Sequence, residues 1–295
     1  MKRLAFSLLV FSLILIGACK KDTPLEKPIN IQEIMNVEYG PDPSQKLDVY
    51  FPETRTAKTK TIVFVHGKSW HEGDKSRFTD LAKFFRDKGY ATVTINYHLV
   101  HHSASTAHNS ANTLNHVNST VQHHQVNDLG RAIDFLVSKA VEWKISPENF
   151  GIVGDDTGAH IGLLYTYGFN TKNKVKAVVS MAGPTNLTDL INEDSNNSSI
   201  ECFVGSTLQA NPTAYRNASP IFHVKSTSKP TLLFHGKRDN IVPEKQARDL
   251  KAKLDEFQIP NKLVVYEDTG HEVLNVNHLA SFVGDVELFF KENIK

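Results

Sequence analysis

Three side chains that can act in acid–base or nucleophilic chemistry follow predicted strands. Asp156 lies at the centre of "GDDTG", where the pattern G-x-S-x-G would carry a serine. Asp239 follows "TLLFHGKR", and His271 follows "KLVVYEDTG". Taken singly, Asp239 is also typical of a turn and His271 of a loop. Their order along the chain, however, is that of a triad in which a carboxylate orients an imidazole that handles a proton for the nucleophile.

These residues need elements that hold them, and the sequence predicts a mostly parallel sheet. From about residue 35, short apolar runs alternate with amphipathic segments. Runs such as "TIVFV", "FGIVG" and "TLLF" indicate buried strands, and "KSRFTDLAKFFRDKG" indicates a helix that ends at Gly89. Strands without strict alternation, separated by helices, are typical of a parallel sheet covered on both faces. Because ligands bind beyond the carboxyl ends of such strands, the three residues are predicted to lie at one edge of the sheet.

A series of motifs between Gln45 and Ile294 occurs in an informative order: "LDVYFPE", "VFVHGKSW", "TINY", "SPENFGIVGDDTGAHIGLL", "AGPTNLTDL", "NPTAYRNASPIFHV", "PTLLFHGKRDNIVPEKQ" and "TGHEV". In this order they resemble the α/β-hydrolase superfamily, and within it the small carboxylesterases of the feruloyl-esterase-like, acetylxylan-esterase-like and kynurenine-formamidase-like branch. The resemblance implies an α/β-hydrolase fold with a mostly parallel eight-stranded sheet and helices on both faces. It places Asp156 at the nucleophile position, Asp239 at the triad acid and His271 at the triad base.

The same resemblance implies further site residues. An oxyanion hole would be formed by the backbone N–H groups of Lys68 and Thr157, which could stabilise a developing negative charge. A substrate pocket would include Trp70, Gly67 and Asp155. No cofactor or metal is implied, and the expected substrate is a small-molecule ester or a carbohydrate-linked acyl group.

Three departures from the family pattern bear on the chemistry. Asp156 replaces the serine, Lys68 replaces a glycine usual in its loop, and Ala159 replaces a glycine that normally follows. A carboxylate that attacks an ester carbonyl gives an anhydride, whereas attack on a saturated carbon gives an ester that water can hydrolyse. Haloalkane dehalogenases and epoxide hydrolases use an Asp–Asp/Glu–His triad of that kind, although dehalogenases commonly carry a tryptophan where this chain has Thr157.

Three functional hypotheses therefore remain open from the sequence. The first is a carboxylesterase-like hydrolase in which Asp156 acts covalently, including at saturated carbon, or as a general base on water. The second is a catalytically inactive binding protein that keeps the old pocket. The third is a metal-dependent protein that uses a histidine-rich segment.

The amino terminus predicts export and lipid anchoring. "MKRLAFSLLVFSLILIGACKKD" combines two basic residues, an apolar run too short for a comfortable membrane span and small residues before Cys19. "IGAC" resembles a bacterial lipobox. We predict a lipoprotein signal peptide over 1–18, lipidation of Cys19, a polar tether over 19–35 and a single domain over 36–295. The protein would lie in the bacterial cell envelope and contact the membrane only through its lipid.

Composition excludes one class of partner. The chain of 295 residues has a formal net charge of +1, and it has no run of basic residues. Because phosphate backbones are bound by basic surfaces, a nucleic-acid partner is not expected. The second cysteine, Cys202, is predicted to be a small buried side chain, since Cys19 would carry lipid.

Two stretches interrupt the alternation of strands and helices. The first, 98–124, is rich in His, Asn, Ser and Thr, and the second, 184–223, has a lid-like character. Long irregular connections are often functional, so both are candidate walls of a pocket. The histidines could bind a metal, but no acidic or cysteine ligand interleaves with them, which favours a polar surface loop.

Overall fold

The computed structural model describes residues 32–100, 121–193 and 198–295. Over these residues the chain forms a single eight-stranded sheet in the order β1-β2-β4-β3-β5-β6-β7-β8. The strands are β1 Gln32–Glu38, β2 Lys46–Phe51, β3 Thr61–Val65, β4 Ala91–Ile95, β5 Phe150–Asp155, β6 Val175–Met181, β7 Thr231–Gly236 and β8 Asn261–Tyr266. The predicted fold class is confirmed.

Strand pairing sets the functional edge of the sheet. β1 pairs with β2 and β2 with β4 in antiparallel fashion, whereas all pairs from β4 to β8 are parallel. The carboxyl ends of β3, β5, β7 and β8 therefore meet at one edge. The loops that leave these four strands carry the residues singled out above.

Helices cover both faces of the sheet within the described ranges. They are α1 Thr79–Asp87, α2 Val121–Ser138, α3 Ala140–Trp143, α4 Asp156–Leu164, α5 Leu187–Glu193, α6 Ser198–Val204, α7 Pro212–Asn217, α8 Lys245–Glu256 and α9 Leu279–Asn293. A 3₁₀ turn at Lys75–Phe78 directly precedes α1, and another at Pro220–His223 follows α7. A π-helix at Tyr165–Phe169 continues α4.

The buried strands explain why two helical layers form. Ile62 and Phe64 of β3 join a core cluster with side chains of α1 and α9, whereas Val63 and Val65 join another with side chains of α2, α4 and α8. Successive side chains of a strand point to opposite faces, so an apolar run of this kind needs cover on both. No helix of the described ranges is long and apolar enough to cross a membrane.

One predicted boundary and one predicted irregular connection need correction. β1 begins at Gln32, inside the tether predicted over 19–35, because its backbone pairs with β2. The described residues of 184–223, expected to be an irregular connection, form α5, α6 and α7 and a 3₁₀ turn, and side chains of these helices reach the core. A lid-like role for this stretch stays a prediction. The predicted signal peptide, Cys19 and residues 101–120 of the histidine-rich stretch lie outside the described residues, and 121–124 belong to α2.

Candidate active site

A sharp strand-to-helix turn presents Asp156. β5 ends at Asp155, α4 begins at Asp156, and Asp156 has a φ of 44°, in the left-handed region that side chains seldom adopt. Gly158 makes the turn possible, because a Cβ atom there would lie 2.1 Å from the Val65 carbonyl oxygen. Strain of this kind is common where a side chain must project from a strand end into a site.

The structure brings Asp156, His271 and Asp239 together in one line. His271 Nδ1 lies 2.8 Å from Asp239 Oδ2, and His271 Nε2 lies 3.5 Å from Asp156 Oδ1. The other carboxylate oxygen of Asp239 accepts the N–H groups of Ile241 and Val242, each at 2.9 Å. Asp239 is thus fixed by its own turn and holds the imidazole towards Asp156, in the geometry of a triad acid.

Backbone N–H groups bind the Asp156 carboxylate itself. Asp156 Oδ2 accepts N–H groups from Lys68 at 2.9 Å and from Ser69 at 3.0 Å. Lys68, Ser69 and Trp70 all have positive φ, which turns successive N–H groups towards one point, as in an anion-binding nest. The carboxylate oxygen therefore occupies a site that would suit an oxyanion.

The predicted oxyanion-hole residues are placed as follows. Lys68 offers its N–H as predicted, but the second donor that the structure shows is Ser69. Thr157 contributes its hydroxyl, which accepts the N–H of Trp70 at 3.2 Å and so ties the nest to α4. A role for the Thr157 N–H stays a prediction.

The charges of Asp156 and Asp239 determine the protonation state of His271 in the resting site. Burial alone would lower the pKa of His271, but the hydrogen bonds and charges of Asp156 and Asp239 raise it to about 10. Burial likewise opposes ionisation of Asp156, yet His271 and the N–H groups of Ser69 and Lys68 hold the pKa of Asp156 below its usual range. At neutral pH the resting site thus contains an imidazolium between two carboxylates. A general base must instead be neutral, so His271 becomes one only when a partner charge is removed.

The raised pKa of His271 makes stability depend on pH. The folded-state pKa of the wild type lies above the ordinary 6.5, so the bound proton stabilises the fold fully below pH 6.5. That stabilisation is lost as the pH rises from 6.5 towards about 10.

We expect Asp156→Asn to lower the pKa of His271 by about 1 to 3 units, because one of two neighbouring negative charges disappears. NMR titration of the imidazole would measure this change in pKa directly. His98, held between Asp128 and Asp42, is the internal control, and an unchanged His271 titration would contradict the ion pair.

A small cavity of about 30 Å³ opens in front of these groups. Its lining residues are Arg77, Asp155, Asp156, Met181, His271, Glu272, Val273 and Leu274. The lining thus combines charged and apolar side chains, which suits a ligand with a polar reacting centre and an apolar substituent.

The predicted pocket residues Trp70 and Gly67 do not line this cavity. Trp70 is only 3% exposed, because Phe203 of α6 stacks on its indole ring with 4.9 Å between ring centroids. Its Nε1–H donates to His160 Nδ1 at 3.2 Å. Trp70 is therefore a buried packing residue beside the nest and not part of the cavity wall. Of the three predicted pocket residues, Asp155 alone lines the cavity.

Arg77 is the main site residue that the sequence reasoning missed. Its Nε donates to Asp155 Oδ2 at 3.0 Å, and its Nη2 donates to Glu272 Oε2 at 2.8 Å. Two adjacent aspartates at a buried strand end require a nearby cation, and that requirement could have directed attention to "EGDKSRF". Met181, Val273 and Leu274 had no comparable signal, since apolar residues at strand ends are common.

The metal hypothesis depends on the histidine-rich stretch, most of which lies outside the described ranges. Within those ranges, no group of three or more His, Cys, Asp or Glu side chains could hold a metal ion. His98 instead pairs with Asp128 at 2.6 Å and with Asp42 at 2.9 Å. These contacts anchor the segment after β4 to α2.

Comparisons with known proteins agree with this fold. The family model described as BD-FAE matches residues 47–254. A probable carboxylic ester hydrolase, LipM of Mycobacterium tuberculosis, is 25% identical over 249 residues, which cover 78% of this chain and 52% of that protein. A probable isoprenylcysteine alpha-carbonyl methylesterase of Arabidopsis thaliana is 20% identical over 256 residues, covering 80% of this chain and 50% of that protein. The chain thus spans about half the length of these curated relatives.

Solved structures share the fold at low sequence identity. A truncated carbohydrate esterase from gut microbiota superposes with a TM-score of 0.74 at 20% identity, over 90% of this chain and 97% of that one. Esterase B from Lactobacillus Rhamnosis gives a TM-score of 0.69 at 14% identity, over 89% of this chain and 86% of that one.

Proposed function

Because the chain belongs to the BD-FAE family of α/β-hydrolases, we propose that it hydrolyses an ester, with Asp156 and His271 as its reacting groups and Asp239 as the acid that orients His271. The observation that carries the proposal is the line from Asp239 through His271 to Asp156 at the wall of the cavity. The proposed substrate is a small-molecule ester or an acyl group linked to a carbohydrate. The names of the esterase relatives and of the carbohydrate esterase support this class.

The replacement of serine by aspartate restricts which carbon of the ester a side-chain nucleophile can attack. Attack of a carboxylate on the carbonyl would expel an alkoxide with a conjugate-acid pKa of about 16, against about 4 for the carboxylate, an uphill exchange of roughly 16 kcal/mol. Proton donation by an imidazolium of pKa about 10 recovers only about half of that. Attack on the alkyl carbon expels a carboxylate of similar basicity, so the exchange is nearly balanced. For covalent catalysis by Asp156, alkyl–oxygen cleavage is therefore the favoured course.

The contacts of Asp156 suit this course. Oδ1, which faces His271, forms a bond to the alkyl carbon, while the carbon–oxygen bond of the substrate breaks and its carboxylate departs with the electron pair. Oδ2 becomes the carbonyl oxygen of an enzyme ester and keeps the N–H groups of Lys68 and Ser69. Water then attacks the Asp156 carboxyl carbon, and those two N–H groups stabilise the resulting oxyanion.

Formation of the enzyme ester also activates His271. It removes the Asp156 charge, one of the two charges that raise the pKa of His271, so the imidazole can release its proton to solvent. The neutral imidazole takes a proton from the attacking water and returns it to the departing alkoxide. Asp156 is released as the neutral acid and passes its proton to His271, which restores the resting ion pair. The products are one acid and one alcohol.

We expect incorporation of ¹⁸O from labelled water to show that Asp156 forms an enzyme ester by alkyl–oxygen cleavage. In ¹⁸O-water, a single turnover of an alkyl ester should place the label in the Asp156 carboxylate and in neither product, which mass spectrometry of the Asp156 peptide would detect. After many turnovers the alcohol should carry the label and the acid should not.

A label in the acid product with unlabelled Asp156 would contradict covalent catalysis. It would show instead that Asp156 activates water against the carbonyl carbon, with acyl–oxygen cleavage. Protein incubated in the same water without substrate is the control for slow exchange of carboxylate oxygens.

A second candidate is ligand binding without turnover. One observation favours it: in the resting state the N–H groups of Lys68 and Ser69 both donate to Asp156 Oδ2, so neither is available to an oxyanion of the substrate. This candidate requires undetectable hydrolysis of alkyl esters together with a rise in Tm on addition of the ligand.

We also propose that the protein is an exported lipoprotein of the bacterial cell envelope. The support is the sequence alone: the basic start, the apolar run and Cys19 in "IGAC".

A further inference from the structure

We infer that Arg77 is a positioning residue that, through Asp155, fastens the N–H nest to the end of β5, with a weaker second contact to the His271 loop. Arg77 lies in the 3₁₀ turn Lys75–Phe78, 78 residues before Asp155 and 195 residues before Glu272. Its role in turnover rests on the proposed function, whereas its role in holding the site does not.

Arg77 and Asp155 form the centre of a chain of contacts. The Asp155 carboxylate receives the guanidinium of Arg77 on Oδ2 at 3.0 Å and the N–H of Gly67 on Oδ1 at 2.7 Å. Gly67 directly precedes Lys68 and Ser69, whose N–H groups bind Asp156. Through Asp155, Arg77 thus acts on the residue that begins the nest.

The second arm of Arg77 reaches the loop that carries the base. Nη2 donates to Glu272 at 2.8 Å, and Glu272 is the neighbour of His271. The nest, the elbow and the His271 loop come from β3, β5 and β8, and these contacts bring one cation to all three. Arg77 also lines the cavity beside Asp156 and His271, so it is part of the site wall.

Burial determines whether the contact of Arg77 with Asp155 or its contact with Glu272 contributes more to holding the site. The side chain of Asp155 is 17% exposed and that of Arg77 is 45% exposed, whereas that of Glu272 is 76% exposed. An ion pair in open solvent contributes little, but removing the partner of a largely buried carboxylate leaves a charge without compensation. The link to Asp155 should therefore dominate.

Asp155 needs this cation because another carboxylate lies beside it. Burial raises the pKa of Asp155, Arg77 opposes that rise, and the charge of Asp156 adds to it. Without Arg77, Asp155 would take up a proton more readily and would accept the Gly67 N–H less strongly. The nest would then lose its fixed direction.

Hydrogen exchange of the backbone amides tests this inference in the intact protein without any need for turnover. Arg77→Met should speed exchange of the Gly67, Lys68 and Ser69 amides at least tenfold, and Arg77→Lys should restore part of the protection because it keeps the charge. Glu272→Gln should have little effect, since its carboxylate is exposed.

Arg86→Met is the matched control. Arg86 also bridges two carboxylates, those of Glu33 and Asp87, but it lies on α1 outside the cavity. Its replacement should leave exchange in the nest unchanged. Unchanged protection in Arg77→Met, or equal loss of protection in Arg86→Met, would overturn the inference.

Kinetics provide a separate readout where ester hydrolysis is measurable. Arg77→Met should lower kcat with a smaller effect on KM, and Arg77→Lys should recover part of kcat. An inactive wild type would refute the proposed function and leave the exchange result to decide the role of Arg77. If Arg77→Met fails to fold, Arg77→Lys should still show exchange faster than wild type, and wild-type protection in that variant would overturn the inference.

Discussion

Asp156→Ser is expected to raise the hydrolysis of short-chain aryl esters by about 100-fold or more over the wild type, the effect typical of a working oxyanion-hole donor. A serine hydroxyl leaves the N–H groups of Lys68 and Ser69 free to bind an oxyanion, because the carboxylate oxygen that fills them is gone. Loss of the Asp156 charge also lowers the pKa of His271, which Asp239 still orients.

Aryl esters make this test sharp. The alcohol side of an aryl ester has no saturated carbon, so alkyl–oxygen cleavage by the wild-type carboxylate is closed to it. The serine variant, by contrast, would attack the carbonyl and form an acyl ester that water hydrolyses. Wild-type activity on alkyl esters with none on aryl esters would therefore fit the proposed course.

Two controls belong with this variant. Asp156→Asn keeps a side-chain oxygen near the nest and cannot react, so it should show no gain. The double variant Asp156→Ser/His271→Gln should lose the gain, since serine then has no base. A folded Asp156→Ser protein no more active than the double variant would show that the triad geometry does not function.

Gly158→Ala is expected to reduce the free energy of unfolding by about 3 kcal/mol or more, as overpacking against rigid atoms does at its most severe. The added Cβ would lie 2.1 Å from the Val65 carbonyl oxygen and 2.3 Å from that of His66. Both are backbone atoms at the end of β3, so relief requires α4 to move away from the sheet, and the elbow would move with it. Urea denaturation would measure the loss.

Gly284→Ala is the matched control for this substitution. Gly284 lies in α9, and a Cβ there would meet no atom within 4 Å. Alanine favours helix over glycine by up to about 1 kcal/mol, so this variant should be as stable as the wild type or slightly more so. A Gly158→Ala protein within about 0.5 kcal/mol of the wild type would contradict the tight packing of α4 on β3.

Local patterns were enough for most of the sheet and long helices. "TIVFV" is strand β3 at Thr61–Val65, and "KSRFTDLAKFFRDKG" contains α1 at Thr79–Asp87, because apolar period and capping are properties of a few neighbouring residues. β1 was missed because its side chains are mostly exposed and its first four residues, "QEIM", fall inside the predicted tether. Its strand state comes from pairing with β2, which no local pattern reports.

The segment between β6 and β7 shows the same limit. Its helices α5, α6 and α7 have six or seven residues each, too short to be stable alone. They are stabilised by contacts such as Phe203 on Trp70. The same contact buries the indole ring that the sequence had placed in the pocket.

The sequence by itself determined the fold class, the family and the positions of Asp156, Asp239 and His271 at strand ends, because strands and turns are encoded locally. Only the tertiary structure decided how these groups meet. The nest that holds Asp156 lies 88 residues before it at Lys68, and Arg77 reaches Glu272 across 195 residues. The charge on His271 and the role of Arg77 follow from through-space distances and burial, and these exist only once the sheet has brought distant loops to one edge.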